Sequence, residues 1–96
     1  MDNMKRNFKI SDEIAISEIN NESVILNLST GIYFQTNELG SFIVSQLNEY
    51  TSFEDLKERV MQNFEVPDDQ CHIDLLNFIE ILKEKSLLKF QQHAGS

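Results

Sequence analysis

Residues 24–47 read VILNLSTGIYFQTNELGSFIVSQL, and their hydrophobic period changes midway. In VILNLS, Val24, Leu26 and Leu28 fall on one face, the period of two that marks a β-strand. STG follows as a tight hairpin loop in which Gly31 is free to take a positive φ. IYFQ, Ile32 to Gln35, is then a further strand. From Asn37 the period becomes about 3.6. Asn37 is a good helix N-cap, and Leu39, Phe42, Ile43, Leu47 and Tyr50 form an apolar stripe. Gly40, early in that helix, costs about 0.5–1 kcal/mol relative to Ala, which implies close packing against another backbone.

Working outward, IAISEI at residues 14–19 alternates for most of its length, as a half-buried strand does, and NNES is turn material. A second helix opens at TSFED, where Ser52 and Asp55 resemble a capping box and Phe53, Leu56, Val60 and Phe64 make the stripe. Pro67 stops it by pushing Val66 away from helical angles. A third helix is expected from Asp68 to Lys85, with Asp68 and Asp69 at its positive end and Lys83 and Lys85 at its negative end. Cys71, Leu75, Phe78, Ile79 and Leu82 share one face, with Ile73 and Leu76 on a flank. The closing SLLKF fits either an edge segment or simple packing. The expected fold is α+β, a three-stranded antiparallel sheet followed by three helices (β-β-β-α-α-α), winged helix-turn-helix-like. Residues 1–13 are an N-terminal arm, 14–90 the domain and 91–96 a flexible tail.

The chain has 96 residues and a net charge of −8, a balance that disfavours nucleic-acid phosphates and anionic membranes. No apolar run reaches the ~20 residues needed to span a bilayer. The N-terminus lacks a secretory h-region and the single cysteine forms no internal disulfide, so the expected compartment is the cytoplasm.

Catalytic signals are weak. Cys71 and His72 point about 100° apart on a helix and have no supporting Cys; a structural thiol beside a surface histidine is the simpler reading. Metal-ligand spacings and phosphate loops are absent, so no metal and no cofactor are expected. The carboxylate pairs Asp12–Glu13, Glu54–Asp55 and Asp68–Asp69 fall where helix starts or solvated turns place them. DNA binding through the third helix meets its acids, since PDDQCHIDLL carries Asp68, Asp69 and Asp74 and no Lys or Arg.

The strand IYFQ leaves two readings open. Edge strands are usually blunted by charge, Pro or a bulge, and this one carries none of these. Either it is central or covered, or it is a docking edge to which an extended peptide adds as a further strand. In the second case the apolar flank at Ile73 and Leu76 walls the same groove; otherwise those two residues extend the core.

The order of hydrophobic strand, TGIYF and TNELG, then DLLNFIEIL and a closing LL, resembles the PqqD-like RiPP recognition elements over about residues 14–90. These are winged-helix domains that bind the leader segments of ribosomally made, modified peptides. The stand-alone form serving lasso-peptide synthesis is the better match, and the form serving a radical enzyme in quinone-cofactor synthesis is the alternative. The resemblance implies a non-catalytic adaptor that binds the leader of a precursor peptide along the third strand. A leader peptidase on a separate chain would receive it. By position the peptide-binding residues would be Ile32, Tyr33, Phe34 and Gln35, joined by Asp69, Ile73 and Leu76 on the third helix. Thr36 stands where the family commonly has Leu, which leaves the facing of Tyr33 and Phe34 open. Ser86 stands where a Gly often precedes the closing Leu pair. A winged-helix DNA-binding regulator and a subunit of a folded partner are the competing classes, and the expected state is a monomer or weak homodimer.

Overall fold

The computed structural model describes residues 6–91, arranged as β1 (Phe8–Ile10), β2 (Ile14–Ile19), β3 (Glu22–Asn27), β4 (Tyr33–Thr36), α1 (Glu38–Ser45), α2 (Phe53–Asn63), α3 (Asp68–Glu84) and β5 (Leu88–Phe90). β2, β3 and β4 form the expected three-stranded antiparallel sheet, in that order. β2 and β3 are joined by Asn20 and Asn21 at φ 54° and 66°. Two central residues with positive φ make the primed turn whose twist matches its strands, and Asn tolerates that region. Between β3 and β4, Gly31 takes φ 79°, as its freedom from a Cβ permits. Asn27 organises this turn. Its Oδ1 accepts from the N–H groups of Ser29 (2.9 Å) and Thr30 (3.1 Å), and its Nδ2 donates to the Ser86 carbonyl (2.8 Å).

Cross-strand register decides which residues face inward. Ile16 lies opposite Ile25 and Ile25 opposite Phe34, while Glu18, Ser23 and Thr36 form the next row. This is the inner face, with Ile25 fully buried. In this polar row the Ser41 hydroxyl donates to Glu18 Oε2 (2.8 Å), so the Ser23 hydroxyl donates to Ser41 at 2.5 Å. The rows Ala15–Leu26–Tyr33 and Ser17–Val24–Gln35 face the other way. Val24, Leu26 and Leu28 thus share a face as their period implies, but that face is outward.

The N-caps fall where the residues put them. Asn37 accepts from Gly40 N–H (2.9 Å) and Ser52 from Asp55 N–H (3.1 Å). At Gly40 the close neighbour is a side chain rather than the expected backbone, because a Cβ there would overlap Thr36 and press on the Phe78 ring. α3 ends one residue short of expectation, and Ser86 at φ 59° turns the chain. A left-handed position favours Gly, which is the physical reason for the residue type common there in the resembling family.

Two strands go beyond the expected set. Residues 8–10, assigned by sequence to the N-terminal arm, form β1, and the undecided SLLKF supplies β5. Phe8 pairs with Phe90 and Ile10 with Leu88. Phe8 also exchanges backbone hydrogen bonds with Thr51 (3.0 and 2.9 Å), and its side chain is fully buried. Ile43, Leu47, Phe53, Leu56, Leu75, Ile79, Leu82 and Leu87 surround it in one core. Of the expected tail at 91–96, only Gln91 lies among the described residues, and its N–H donates to Asn7 (2.9 Å).

Candidate functional site

β4 is an outer strand of its sheet, and hydrogen-bond alternation fixes which of its groups face the open side. Asn27 N–H donates to Ile32 C=O (2.8 Å), so Asn27 and Ile32 are a hydrogen-bonded pair. In an antiparallel ladder such pairs recur at every second residue. Ile32, Phe34 and Thr36 therefore turn their backbone groups toward β3. Tyr33 and Gln35 turn their N–H and C=O groups toward the free edge. An extended segment laid there would find two donors and two acceptors, spaced for strand addition.

The side chains of this edge split by face. Tyr33 is 66% exposed on the outer face. Phe34 turns inward, its ring centroid 6.0 Å from that of Phe78 on α3, and the Lys85 ammonium lies 5.7 Å from the Phe34 centroid. The wall beside the edge is thus Phe78 with Lys85. At 100° per residue, Asp74 and Ile81 lie within about 60° of Phe78 on its solvent side. Ile81 and Asp74 are both exposed.

Of the sequence-derived site residues, Ile32, Tyr33, Phe34 and Gln35 lie along one continuous edge. The three on α3 are placed elsewhere. Ile73 and Leu76 stand about 140° and 160° round the helix from Phe78, and Asp69 about 180°. Ile73 is 52% exposed, while Leu76 is half-buried against the core. Sequence reasoning assigns Phe78 to the core and Lys85 to a helix-end charge, and so misses both. Their spacing of seven residues, two turns, is the signal that puts them on one stripe.

Electrostatically the sheet is one-signed. Between Lys9 and Lys57 the chain has no Lys, Arg or His, while Asp12, Glu13, Glu18, Glu22 and Glu38 all lie in or beside the sheet. Its outer face is also apolar, with Ile19, Val24, Leu28 and Tyr33 exposed. Polar residues Ser17, Asn20, Glu22 and Gln35 share a shallow hollow there with Ile19 and Val24.

The thiol–imidazole pair does not assemble. Cys71 is buried with its Sγ directed at the Lys57 carbonyl (4.0 Å), and burial pushes its thiol pKa up, away from thiolate chemistry. His72 instead packs edge-on against the Phe53 ring, centroids 5.1 Å apart. Among the described residues no group of three or more His, Cys, Asp or Glu is placed to hold a metal ion. No helix among them is long and apolar enough to cross a membrane.

The family model described as coenzyme PQQ synthesis protein D (PqqD) matches residues 22–88. A solved structure of TbiB1 in complex with the TbiA(beta) leader peptide superposes with a TM-score of 0.77 at 33% identity. That match covers 88% of this chain and 99% of that one. A lasso peptide synthetase B1 complexed with its leader peptide superposes at 0.72 over 85% of this chain and 96% of that one. At 24% identity it speaks to the fold alone. No curated protein sequence matches.

Proposed function

Because the chain belongs to the PqqD family, we propose that it is a non-catalytic adaptor which captures the leader of a ribosomally made precursor peptide by adding it as a strand to β4 and presents it for processing in lasso-peptide-type synthesis. The observation that carries this reading is the unguarded edge of β4, with Tyr33 and Gln35 turning free backbone groups outward beside α3. The similar TbiB1 structure, a leader-peptide complex, supports the same occupant. Backbone bonds to Tyr33 and Gln35 supply register, and the peptide side chain opposite Phe34 enters the cleft toward Phe78. Ile32 extends the edge. Ile73, Leu76 and Asp69 stay in the proposal only for a leader long enough to cross α3.

The receiving partner is a leader peptidase on a separate chain. The apolar outer face of the sheet, where the register places Glu22, is the surface left for it. It calls for a partner with an apolar patch and basic rim. The family description, which names coenzyme PQQ synthesis, favours one second reading, in which the peptide is presented to a modifying enzyme of that synthesis; a radical enzyme is the proposed recipient. That reading uses the same groove and differs only in the enzyme bound.

Fluorescence anisotropy of a labelled synthetic leader, from a lasso-type precursor peptide encoded in the same genome, tests the proposal. Saturable binding in the micromolar range or tighter, lost on scrambling the leader, is expected. No binding at high protein concentration overturns it. Pull-down of the peptidase against the radical enzyme then separates the two readings.

A further inference from the structure

We propose that Lys85 is a specificity-determining residue of this groove: its ammonium receives a carboxylate side chain of the bound peptide, so the captured segment carries an Asp or Glu opposite Phe34 or Ile32. This rests on the strand-addition reading. Lys85 caps the C-terminus of α3 at the end where β4 begins, and it is half-buried with its ammonium facing the Phe34 ring. The negative helix end and the ring face both hold a cation in that place. Two other lysines of the chain are held in ion pairs. Lys89 pairs with Asp12 at 2.7 Å and Lys57 with Asp68 at 3.0 Å, and Lys85 takes part in neither bridge. In a chain with twice as many acids as bases, this cation is kept beside the open edge rather than spent on a carboxylate bridge of that kind.

The strand geometry brings a ligand within its reach. Tyr33 and Gln35 supply the hydrogen bonds to an added strand, so Phe34 faces its partner across a non-hydrogen-bonded position. In antiparallel pairing that is the position where side chains approach more closely. The peptide side chain opposite Phe34 points to the inner face, into the cleft that Lys85 overhangs. A second inner-facing position lies two residues away, opposite Ile32. A carboxylate at either position meets the ammonium in partly desolvated surroundings, where a charge-assisted hydrogen bond discriminates well.

The test uses the full chain and the same synthetic leader. Each Asp and Glu of the peptide is replaced singly by Asn or Gln, and every peptide is titrated against wild type, Lys85→Met and Lys85→Arg. One replacement is expected to weaken binding to wild type about tenfold, and the same replacement to cost nothing further in Lys85→Met. Lys85→Arg should keep the discrimination, and Lys85→Glu should recover binding when that one acid is changed to Lys. A lysine that only steadied Phe34 would give losses that add rather than cancel. The proposal is overturned if acid-to-amide losses are equal in both proteins, or if Lys85→Met binds every peptide within twofold of wild type. If wild type fails to bind the unmodified leader, the strand-addition reading itself falls, and this one with it.

Discussion

The protein contains two antiparallel β-structures that treat their edges in opposite ways. In the ribbon of β1 and β5, the outer side of β1 is closed by the Phe8–Thr51 bridge and by Ile10 N–H donating to Leu47 (3.0 Å). Its large side chain, Phe8, is fully buried and meets Phe90 edge-on, centroids 6.0 Å apart. The three-stranded sheet buries one face through Ile25 and leaves the other, with β4, open to solvent. Backbone groups and apolar surface that the ribbon commits to folding are held available in the sheet. The difference separates residues that maintain the fold from residues free to meet a partner.

Substitutions in the two structures should therefore fail in different assays. Phe8→Ala removes a fully buried aromatic and should cost about 3–5 kcal/mol, read as a lowered urea midpoint. Below that midpoint, leader affinity per folded molecule should stay as in wild type. A loss of affinity without a loss of stability would make the ribbon part of the site. At β4 the backbone offers a finer contrast. Proline at Gln35 removes an N–H that faces the free edge, whereas proline at Phe34 removes one that serves β3. Gln35→Pro should weaken leader binding about tenfold while the melting temperature changes little, one charge-neutral hydrogen bond and a disturbed edge being lost from the complex alone. Phe34→Pro should destabilise the domain itself. A larger melting loss in Gln35→Pro than in Phe34→Pro would show that Tyr33 and Gln35, rather than Phe34, bond to β3.

The outer face should be quieter still. Val24→Ser and Leu28→Ser replace exposed side chains and should move stability by no more than about 0.5 kcal/mol. They should leave leader affinity intact and reduce only co-purification with the processing enzyme. A clear drop in stability would mean that this face is part of the core.

Much of this was legible in the residues. Asn37 and Ser52 announced two helix starts because a cap is a local event, decided by one side chain and the next turn. The period-2 runs at 14–19 and 24–29 announced strands for the same local reason. What stayed hidden was non-local. Phe8–Ile10 is too short to display a period, and its partner Leu88–Phe90 lies some eighty residues along the chain. The facing of β3 was hidden because its inner row contains Ser23 and Asn27, buried polar residues whose partners Ser41 and Ser86 come from other elements. The more apolar row, Val24 and Leu26, is the one turned outward. On α3, hydrophobicity drew attention to Ile73 and Leu76, yet the stripe beside β4 contains Phe78 and Lys85. A helix wheel gives relative angles, but only the packed sheet says which angle meets the strand.

The contact that joins the two structures gives the smallest expected effect. Lys89 of β5 bonds Asp12, in the segment that leads from β1 into β2, at 2.7 Å. The hydrogen bond from Lys89, and then its charge, hold the Asp12 carboxyl below its ordinary value of 3.8, and the same bond to Asp12 raises Lys89 above 10.5. A lowered carboxylate pKa means that the folded state binds its proton less readily than the unfolded chain. Its contribution is therefore complete above 3.8 and disappears as pH falls through the folded value. For the raised lysine the contribution is complete below 10.5 and disappears as pH rises through its folded value. The pair thus supports the junction across the neutral range and at neither extreme. Both groups are exposed, so the gain is small and salt-sensitive. Melting curves from pH 2 to pH 7 at low salt should show Asp12→Asn losing part of the acid-side slope, with the difference from wild type shrinking in about 1 M salt. If Asp12→Asn instead alters leader binding at neutral pH, the junction transmits strain to β4, and the separation between the two β-structures is incomplete.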